Sequence, residues 1–294
     1  SSLCLQNVPQ LFRSIGYITM IRLGLIGYPV SHSLSPKIQN AALKACGLDG
    51  DYSLFPIASD DMQALKDLLG RVRSGEITGL NVTIPHKQNV TPFMDELTPT
   101  AKAIGAVNVI YMRENKLIGD NTDAPGFLSD LKRFLVENQS EIVNRKSAIV
   151  LGAGGSARSV VYALLHDGWD VTLAARRIEQ AQQLATQFAG TIPVELNLQT
   201  FQRSNLELIV NTTPLGMTSN VDQSPLPETA TLAPHTKIYD LVYNPRETKF
   251  VKDARAQGLS ATTGLGMLIE QAALGFELWT GRKLPSEIFR NAVE

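Results

Sequence analysis

The chain has 294 residues, of which 44% are hydrophobic, and its formal net charge is −1 at pH 7. This length is more than one typical hydrophobic core fills, so we expect two domains. A balanced charge provides no long-range field for nucleic acid or an anionic membrane, and no segment is long and apolar enough to cross a bilayer. These two classes of partner are therefore excluded.

The first residues, Ser1 to Thr19, contain one arginine and no acid, unlike the rest of the chain. A secretory signal would need a basic start and a longer apolar core, and a transit peptide would be richer in arginine and serine. We interpret them as an extension, and we expect the fold to begin at Met20. The two cysteines, Cys4 and Cys46, match neither a disulfide framework nor metal-ligand spacing, which favours a reducing cytoplasm and no metal site.

Strands and helices alternate from Met20 onward, a pattern typical of an α/β fold with a parallel or mostly parallel sheet. In the first domain the predicted strands are Leu23–Ile26, Tyr52–Ile57, Gly79–Thr83 and Ala106–Tyr111. The predicted helices are Pro36–Cys46 and Asp61–Val72. Asn115 and Lys116 indicate a turn. The crossover to the second domain is expected at Asn121–Asp123, followed by a helix over Pro125–Val136.

Polar side chains cluster after the strands of the first domain. The four groups are Ser31–Pro36, Asn81–Lys87, Gly105–Asn108 and Asp120–Asp123. Open α/β sheets place their ligand crevices at the carboxyl ends of strands. Hydroxyls, an amide, an amine and a carboxylate together suit a small polyhydroxylated acid, whose groups need matched donors and acceptors.

A glycine-rich loop lies within Ile149–Arg158, between an apolar strand and a helix with Val160, Val161 and Leu164 at helical spacing. Glycine at 152 permits a tight turn, glycine at 154 allows close approach of a pyrophosphate, and a small residue at 157 allows close packing. With a second strand at Val171–Leu173, this is a βαβ unit for a dinucleotide. The predicted contacts are Gly152, Ala153, Gly154, Gly155, Ser156 and Ala157.

The residues after the second strand of this unit are Ala175, Arg176 and Arg177. A protein that binds NAD usually has a carboxylate there for the ribose hydroxyls, and that acid would repel a 2′-phosphate. Guanidinium groups bind phosphate through paired charge-assisted hydrogen bonds, so the sequence predicts NADP. The alternative is that both arginines simply begin a solvated helix.

Further elements complete the second domain. The predicted strands are Ile192–Leu196, Leu208–Val210, Lys237–Leu241 and Ser260–Thr262. The last predicted helices, Leu265–Trp279 and Ser286–Ala292, are apolar on one face, and we expect them to pack back against the first domain.

These motifs together resemble the shikimate dehydrogenase family over about Ile21 to Trp279, with both domains in the same order. The resemblance implies a substrate-binding domain over 20–122, completed by 264–294, and a Rossmann-like NADP-binding domain over 123–263. It also implies a monomer or homodimer. The implied reaction is the reversible NADPH-dependent reduction of 3-dehydroshikimate to shikimate, on the route to chorismate and the aromatic amino acids.

The same resemblance assigns further residues. The implied substrate contacts are Ser33, Ser35, Thr83, Asn108, Tyr243 and Gln271. The implied cofactor contacts are Thr212 in the segment Asn211–Met217, Leu241 in Asp240–Pro245, and Gly264 and Met267 beside the nicotinamide. Members often have Asn-Arg-Thr where this chain has Ala175–Arg177, which keeps only the central arginine. An alternative role for Ser33 and Ser35 is to cap the helix at Pro36.

Reduction of a ketone by hydride transfer leaves negative charge on oxygen and needs a nearby acid. Lys87 and Asp123 are the obvious pair. Our hypothesis is that Lys87 exchanges the proton with the substrate oxygen and that Asp123 orients Lys87 and the substrate hydroxyl. The alternatives are an exposed surface charge for Lys87 and a helix N-cap for Asp123. We interpret the neighbouring His86 as a loop residue rather than a catalyst.

Two other functions remain open from the sequence. Quinate dehydrogenase shares the fold and most contacts, but a preference for NAD would call for an acid where Arg176 stands. A regulator that binds NADP or shikimate without turnover is the second alternative. The presence of both Lys87 and Asp123 argues against it.

Overall fold

The computed structural model describes residues 20–138, 146–197, 201, 206–218, 220–227 and 229–293. The chain divides into two compact units, one made of residues up to 122 together with those from 269, and one of residues 123–268. The extension expected at Ser1–Thr19, with Cys4, lies outside the described residues. No described helix has the length and apolar character needed to span a membrane.

The first unit is built on a six-stranded sheet with the strand order β2-β1-β3-β5-β6-β4. The strands are β1 (Ile21–Gly27), β2 (Gly50–Pro56), β3 (Gly79–Val82), β4 (Glu96–Leu97), β5 (Val109–Arg113) and β6 (Lys116–Asp120). Its helices before residue 122 are α1 (Ser35–Ala45), α2 (Met62–Arg73) and α3 (Pro99–Ile104), with a short 3₁₀ helix at Thr91–Phe93. Strands β1–β2, β1–β3 and β4–β6 pair in parallel, whereas β3–β5 and β5–β6 are antiparallel. The expected mostly parallel sheet is therefore confirmed.

Helix α2 covers one part of this sheet because its apolar residues recur on one face. Leu65, Leu68, Leu69 and Val72 are buried and belong to one core cluster with strand residues such as Leu80. The helix begins where Asp61 Oδ1 accepts a hydrogen bond from the Ala64 N–H at 3.0 Å, which satisfies one of its unpaired amides. This packing fixes the strands whose carboxyl ends carry the polar groups.

The hairpin between β5 and β6 corrects one prediction. The turn residues are Glu114 and Asn115, with φ angles of 50° and 61°, and Arg113 pairs with Lys116. Two left-handed residues are what a two-residue hairpin turn of type I′ requires. The turn predicted at Asn115–Lys116 is thus wrong by one residue, since Lys116 begins β6. The predicted strand over Ala106–Tyr111 starts only at Val109.

The second unit contains a six-stranded sheet of order β12-β11-β10-β7-β8-β9, and every pairing that its described strands make is parallel. Its strands are β7 (Ser147–Leu151), β8 (Asp170–Ala175), β9 (Ile192–Glu195), β10 (Leu208–Asn211), β11 (Lys237–Asp240) and β12 (Ala261–Thr263). Its main helices are α4 (Asp123–Glu137), α5 (Gly155–His166), α6 (Ile178–Gln187) and α7 (Lys249–Ala256). The strand order reverses between β7 and β10, which is the switch point where such sheets bind ligands. A Rossmann-like fold is confirmed.

The last helices are α8 (Leu265–Thr280) and α9 (Ser286–Asn291). From residue 269 the chain belongs to the first unit. There the Trp279 indole N–H donates to the Ile110 carbonyl at 3.1 Å, and the Gln39 side chain donates to the Ala272 carbonyl at 3.1 Å. Helix α9 packs on α1, and the Phe276 and Phe289 rings meet edge to face. The expected return of these helices to the first domain is confirmed.

We expect Gly79→Ala to destabilise the first unit by about 1–3 kcal/mol through overpacking. A Cβ at this buried position of β3 would overlap the Trp279 indole ring. The matched control is Gly70→Ala in α2, where a Cβ meets no atom within 4 Å. That change should stabilise the helix by about 0.5–1 kcal/mol. Urea unfolding of both variants checks this, and a Gly79→Ala midpoint equal to that of the wild type would contradict it.

Candidate functional site

The glycine loop of the second unit connects the end of β7 to the start of α5. Gly152 has a φ of +106°, and a Cβ there would lie 2.7 Å from Thr212 Oγ1. The Thr212 hydroxyl donates to the Leu151 carbonyl at 2.7 Å. Both the backbone angle and the close approach of Thr212 require glycine, so this turn brings the loop against the end of β10.

The next glycine leaves open space above the start of α5. Gly154 is the N-cap residue and offers no side-chain cap, and a Cβ there would meet no atom within 4 Å. Ala157 is fully buried, so the helix packs closely on the sheet, while Ala153, Gly155 and Ser156 are half-buried. Free space at the positive end of a helix dipole, beside backbone amides, fits a phosphate of a dinucleotide.

Arg176 and Arg177 follow β8, whose last residue, Ala175, is buried. Both arginines are exposed, and Arg177 is the N-cap residue of α6 without a side-chain cap. Exposure agrees with a phosphate ligand and equally with a solvated helix start. The role of both arginines in binding a phosphate therefore stays a prediction.

The carboxyl ends of β10 and β11 are joined by a buried polar network that the sequence did not identify. The Asn211 side-chain amide donates to Asp240 Oδ1 at 2.8 Å, and Asn211 Oδ1 accepts from the N–H and the hydroxyl of Thr213 at 3.0 and 2.7 Å. Asp240 Oδ1 also accepts from the Val242 N–H at 3.1 Å, and its Oδ2 accepts from the Thr248 hydroxyl at 2.7 Å. One carboxylate thus holds three separate segments.

Asp240 is fully buried. Burial raises the pKa of Asp240 to about 6, although the hydrogen bonds from Thr248, Val242 and Asn211 act in the opposite direction. An acid with this pKa changes its charge within the range in which enzymes are usually assayed.

The implied cofactor residues after β11 and β12 lie against one another. The Leu241 N–H donates to the Asn211 carbonyl at 2.9 Å, and a Cβ on Gly264 would overlap the Leu241 backbone. With Thr212, these residues share the carboxyl edge of the sheet. Met267 is buried, as packing residues are.

A second buried acid supports the start of α8. A Cβ on Gly266 would overlap the Asp130 carboxylate, whose Oδ2 accepts from the Tyr239 hydroxyl at 2.6 Å. The Arg133 Nε–H donates to Asp130 Oδ1 at 3.0 Å. Burial raises the pKa of Tyr239 well above its usual value, with the Asp130 charge acting in the same direction, so this phenol stays a donor. Sequence spacing gave no signal for this cluster.

In the first unit, two residues implied to bind substrate meet around a third. The Thr122 N–H donates to Asn108 Oδ1 at 2.7 Å, and Asn108 Nδ2 donates to Thr122 Oγ1 at 3.0 Å and to Gln271 Oε1 at 3.4 Å. The Thr122 hydroxyl donates to the Gln271 carbonyl at 3.2 Å. The sequence placed Thr122 in a polar group but gave it no role.

The loop that holds Ser33 and Ser35 bears on the alternative that these serines cap α1. The N-cap residue of α1 is Leu34, with no side-chain cap, and Ser35 is already the first helical residue. Ser33 Oγ accepts from the Ser35 N–H at 3.2 Å, which ties the two serines together. Neither serine is the N-cap residue of α1, although Ser33 Oγ satisfies the backbone amide of its first residue. Thr83 follows β3, and its N–H donates to the Ile26 carbonyl at 2.8 Å.

Lys87 lies in the turns after β3 and is only 8% exposed. Its carbonyl accepts from the Val107 N–H at 2.8 Å, and His86 beside it is fully buried with Nε2 at 2.7 Å from the Ile57 carbonyl oxygen. The interpretation of Lys87 as an exposed surface charge is therefore wrong.

Asp123 is 5% exposed and is the first residue of α4 itself rather than a residue preceding the helix. It belongs to the second unit and Lys87 to the first. The catalytic pairing of the two stays a prediction.

Tyr243, implied to contact substrate, is half-buried and belongs to the second unit, one residue before the cis bond between Asn244 and Pro245. Within the residues that the structure describes, no group of three or more histidine, cysteine, aspartate or glutamate side chains could hold a metal ion.

An all-parallel sheet with a glycine turn at its switch point defines a dinucleotide-binding protein of the Rossmann-like class. Three family models match the chain. They are described as "Shikimate dehydrogenase substrate binding domain" at residues 25–110, "Shikimate / quinate 5-dehydrogenase" at 135–219, and "Shikimate 5'-dehydrogenase C-terminal domain" at 264–294.

A curated relative, "Shikimate dehydrogenase (NADP(+))" of Carboxydothermus hydrogenoformans, is 41% identical over 275 residues, covering 92% of this chain and 95% of its own. The shikimate 5-dehydrogenase of Thermus thermophilus, solved with NADP(H) and shikimate, is 37% identical with a TM-score of 0.81, covering 93% of this chain and 98% of its own. The shikimate dehydrogenase of Aquifex aeolicus is 34% identical with a TM-score of 0.84, covering 95% and 100% respectively. The chain belongs to the shikimate dehydrogenase family, as its motifs indicated.

The raised pKa of Asp240 predicts a pH-dependent stability. Because the folded pKa of about 6 exceeds the unfolded value, the protonated acid stabilises the fold below about pH 4, and this contribution is lost as the pH rises through 6. Asp240→Asn stays neutral. Relative to the wild type, its free energy of unfolding should therefore increase from pH 4 to pH 7.5, by on the order of 3 kcal/mol. Urea unfolding at several pH values measures the difference, and a constant difference would contradict it.

Proposed function

We propose that this protein is an NADP-dependent shikimate dehydrogenase that reversibly reduces 3-dehydroshikimate to shikimate on the route to chorismate and the aromatic amino acids. The observation that carries this proposal is the burial of Lys87 in a unit that also holds the Asn108–Gln271 amide cluster. A lysine side chain that is largely shielded from water suits proton exchange with a polyhydroxylated acid. The names of the relatives support the same reaction.

The two domains have different tasks. Residues 20–122, completed by 264–294, form the substrate domain, and residues 123–263 form the NADP domain. The division of the chain into compact units supports this assignment except for residues 264–268, which belong to the second unit. The description of the family model at 25–110 supports it as well.

NADP supplies or accepts the hydride when it is bound. The loop from Gly152 to Ala157 receives the pyrophosphate at the start of α5, where the space above Gly154 is open. Arg176 and Arg177 hold the 2′-phosphate through charge-assisted hydrogen bonds. The remaining lining residues are Ala175, Thr212, Leu241, Gly264 and Met267.

The substrate domain supplies the groups that orient the ring. Ser33 and Ser35 bind the carboxylate, which has no need of a positive side chain when hydroxyls and backbone amides surround it. The hydroxyls of the ring meet Thr83, Asn108, Tyr243 and Gln271. Thr122 holds the Asn108 amide in one orientation, so the positions of its N–H donors and its oxygen acceptor are fixed before substrate binds.

Lys87 and Asp123 carry the proton chemistry. In reduction, an Nζ–H bond of Lys87 breaks and an O–H bond forms on the former carbonyl oxygen, while the carbon gains the hydride. In oxidation the amine of Lys87 takes the hydroxyl proton. Asp123 accepts hydrogen bonds from the lysine and the substrate hydroxyl and so orients both.

Steady-state assays test the proposal. Shikimate and quinate are each assayed with NADP⁺ and with NAD⁺, and we expect shikimate with NADP⁺ to have the highest kcat/KM. The quinate arm is included because one matching family model names both substrates. Equal or better turnover of quinate would make the protein a quinate dehydrogenase. Binding of NADP⁺ and shikimate without turnover would identify a regulator.

We expect Lys87→Met to lower kcat by about 10²–10⁴-fold, the usual contribution of a general acid or base. Methionine fills much of the buried volume, so the fold should persist, and the dissociation constant for NADP⁺ should remain near that of the wild type. The control is Lys102→Met on α3, which changes an exposed lysine of the same unit. Retained turnover in Lys87→Met would remove this residue from the mechanism.

Replacing Arg176 with Asp and Arg177 with Ser should shift the cofactor preference toward NAD⁺. Loss of charge-assisted bonds to a phosphate costs about 1.5–3 kcal/mol each, so kcat/KM with NADP⁺ should fall at least about tenfold. The control is Lys252→Asp on α7, which reverses an exposed charge of the same unit. An unchanged ratio of kcat/KM for the two cofactors would assign both arginines to a solvated helix start.

A further inference from the structure

The buried carboxylate of Asp240 has no part in the chemistry proposed above, yet it lies at the edge of the sheet that carries the cofactor residues. It is the last residue of β11 and is fully buried. Its hydrogen-bond partners come from the end of β10, from the chain directly after β11, and from the start of α7. Asp240 therefore links three segments of the chain at this edge.

The first connection leads to the Thr212–Met217 segment. Asn211 donates to Asp240, and its own Oδ1 accepts two hydrogen bonds from Thr213. The Thr213 hydroxyl in turn accepts from the Leu215 N–H at 3.3 Å. Asp240 therefore fixes the orientation of the Asn211 amide, and the amide oxygen in turn holds the loop through Thr213.

The second connection leads to the segment after β11. The Val242 N–H donates to Asp240, and the Val242 carbonyl accepts from the Gly264 N–H at 3.4 Å. Since a Cβ on Gly264 would overlap Leu241, these two segments touch along their backbones. A shift of the Asp240 carboxylate would therefore displace Thr213, Leu241 and Gly264 together.

Asp240 accepts hydrogen bonds only from neutral groups among those that the structure describes. On α7, Lys249 pairs with Asp253 and Arg255 pairs with Glu247, while Lys252 is exposed. Strands β10 and β12 carry no charged residue. On α4, Asp130 is paired with Arg133 and with the Tyr239 hydroxyl of β11 itself.

A neutral amide would fit the same place. In Asp240→Asn the side-chain oxygen can take the position of Oδ1, and the NH₂ group can face the Thr248 hydroxyl, which accepts as readily as it donates. The fold does not need the charge, and burial penalises it. What the charge adds is stronger hydrogen bonds to Asn211, Val242 and Thr248.

We propose that Asp240 is a positioning residue whose ionised carboxylate, acting through Asn211 and Val242, fixes the Thr212–Met217 and Leu241–Tyr243 segments in the arrangement that binds NADP. This inference rests on the proposed function. It makes a neutral residue at this position better for stability and worse for the cofactor.

The test compares the dissociation constant of NADP⁺ for the wild type and for Asp240→Asn between pH 5 and pH 8.5, with urea midpoints measured in parallel. At pH 8 we expect roughly tenfold weaker binding by the variant, the value of about one charge-assisted hydrogen bond, with a midpoint no lower than that of the wild type. Toward pH 5 the ratio of the two constants should fall close to one, because Asp240 is then mostly protonated. Ionisation of the 2′-phosphate cancels in this ratio.

Three further variants sharpen the test. Glu207→Gln changes another buried acid at the opposite end of β10 and should leave NADP⁺ binding unchanged. Asn211→Asp sets a second carboxylate against Asp240 and should weaken binding more than Asp240→Asn does. Combining Asn211→Asp with Asp240→Asn removes the repulsion and should restore part of the affinity.

Equal affinity of the wild type and Asp240→Asn at pH 8, or a ratio that does not change with pH, would overturn the proposal for Asp240 and leave the proposed function standing. Failure of the wild-type protein to bind NADP⁺ at any of these pH values would overturn the proposed function itself.

Discussion

The parallel pairing of β7, β10 and β11 is the constraint on which the second unit depends. Strands in such a sheet are covered on both faces and carry almost only apolar residues, as the fully buried strand β10 shows. Polar groups therefore lie at the ends of the strands, where Gly152, Asn211 and Asp240 mark the carboxyl ends of β7, β10 and β11. The order of the strands makes these three ends neighbours, although about 90 residues of chain separate the first from the last. The candidate cofactor edge follows from the topology before any side chain is considered.

The sequence predicted the βαβ unit of this sheet because the signals of that unit are local. A glycine loop between a strand and a helix needs only a dozen residues, and Gly152 is required by its own backbone angle. The hairpin at Glu114–Asn115 was placed one residue late because either register of a short polar turn satisfies the same local pattern. Strand β4, of two residues, and strand β6 have too little periodicity to stand out from a loop. Such elements are fixed by their partners in the sheet rather than by their own residues.

The candidate site was predictable in its residue types and much less in its contacts. Asn108 and Gln271 are 163 residues apart, and their meeting around Thr122 depends on the return of α8 to the first unit. The burial of Lys87 likewise comes from the turns around His86 and Val107 and not from any pattern in its neighbourhood. Resemblance to a family supplied Tyr243 and Gln271, for which the residues alone gave no reason. It did not supply Asn211 and Asp240 with a role.

Asp240 illustrates how function and stability separate at such an edge. Burial opposes the charge, so the folded state would be more stable with a neutral group that makes the same contacts. The donors that converge on the carboxylate are neutral, so none of them offsets the desolvation of the charge as strongly as an ion pair would. A carboxylate kept under these conditions is explained by the order it imposes on Thr213, Leu241 and Gly264, because only a charged acceptor strengthens all of its hydrogen bonds at once. The charge destabilises the folded sheet, but it orders the loops that follow the ends of the strands.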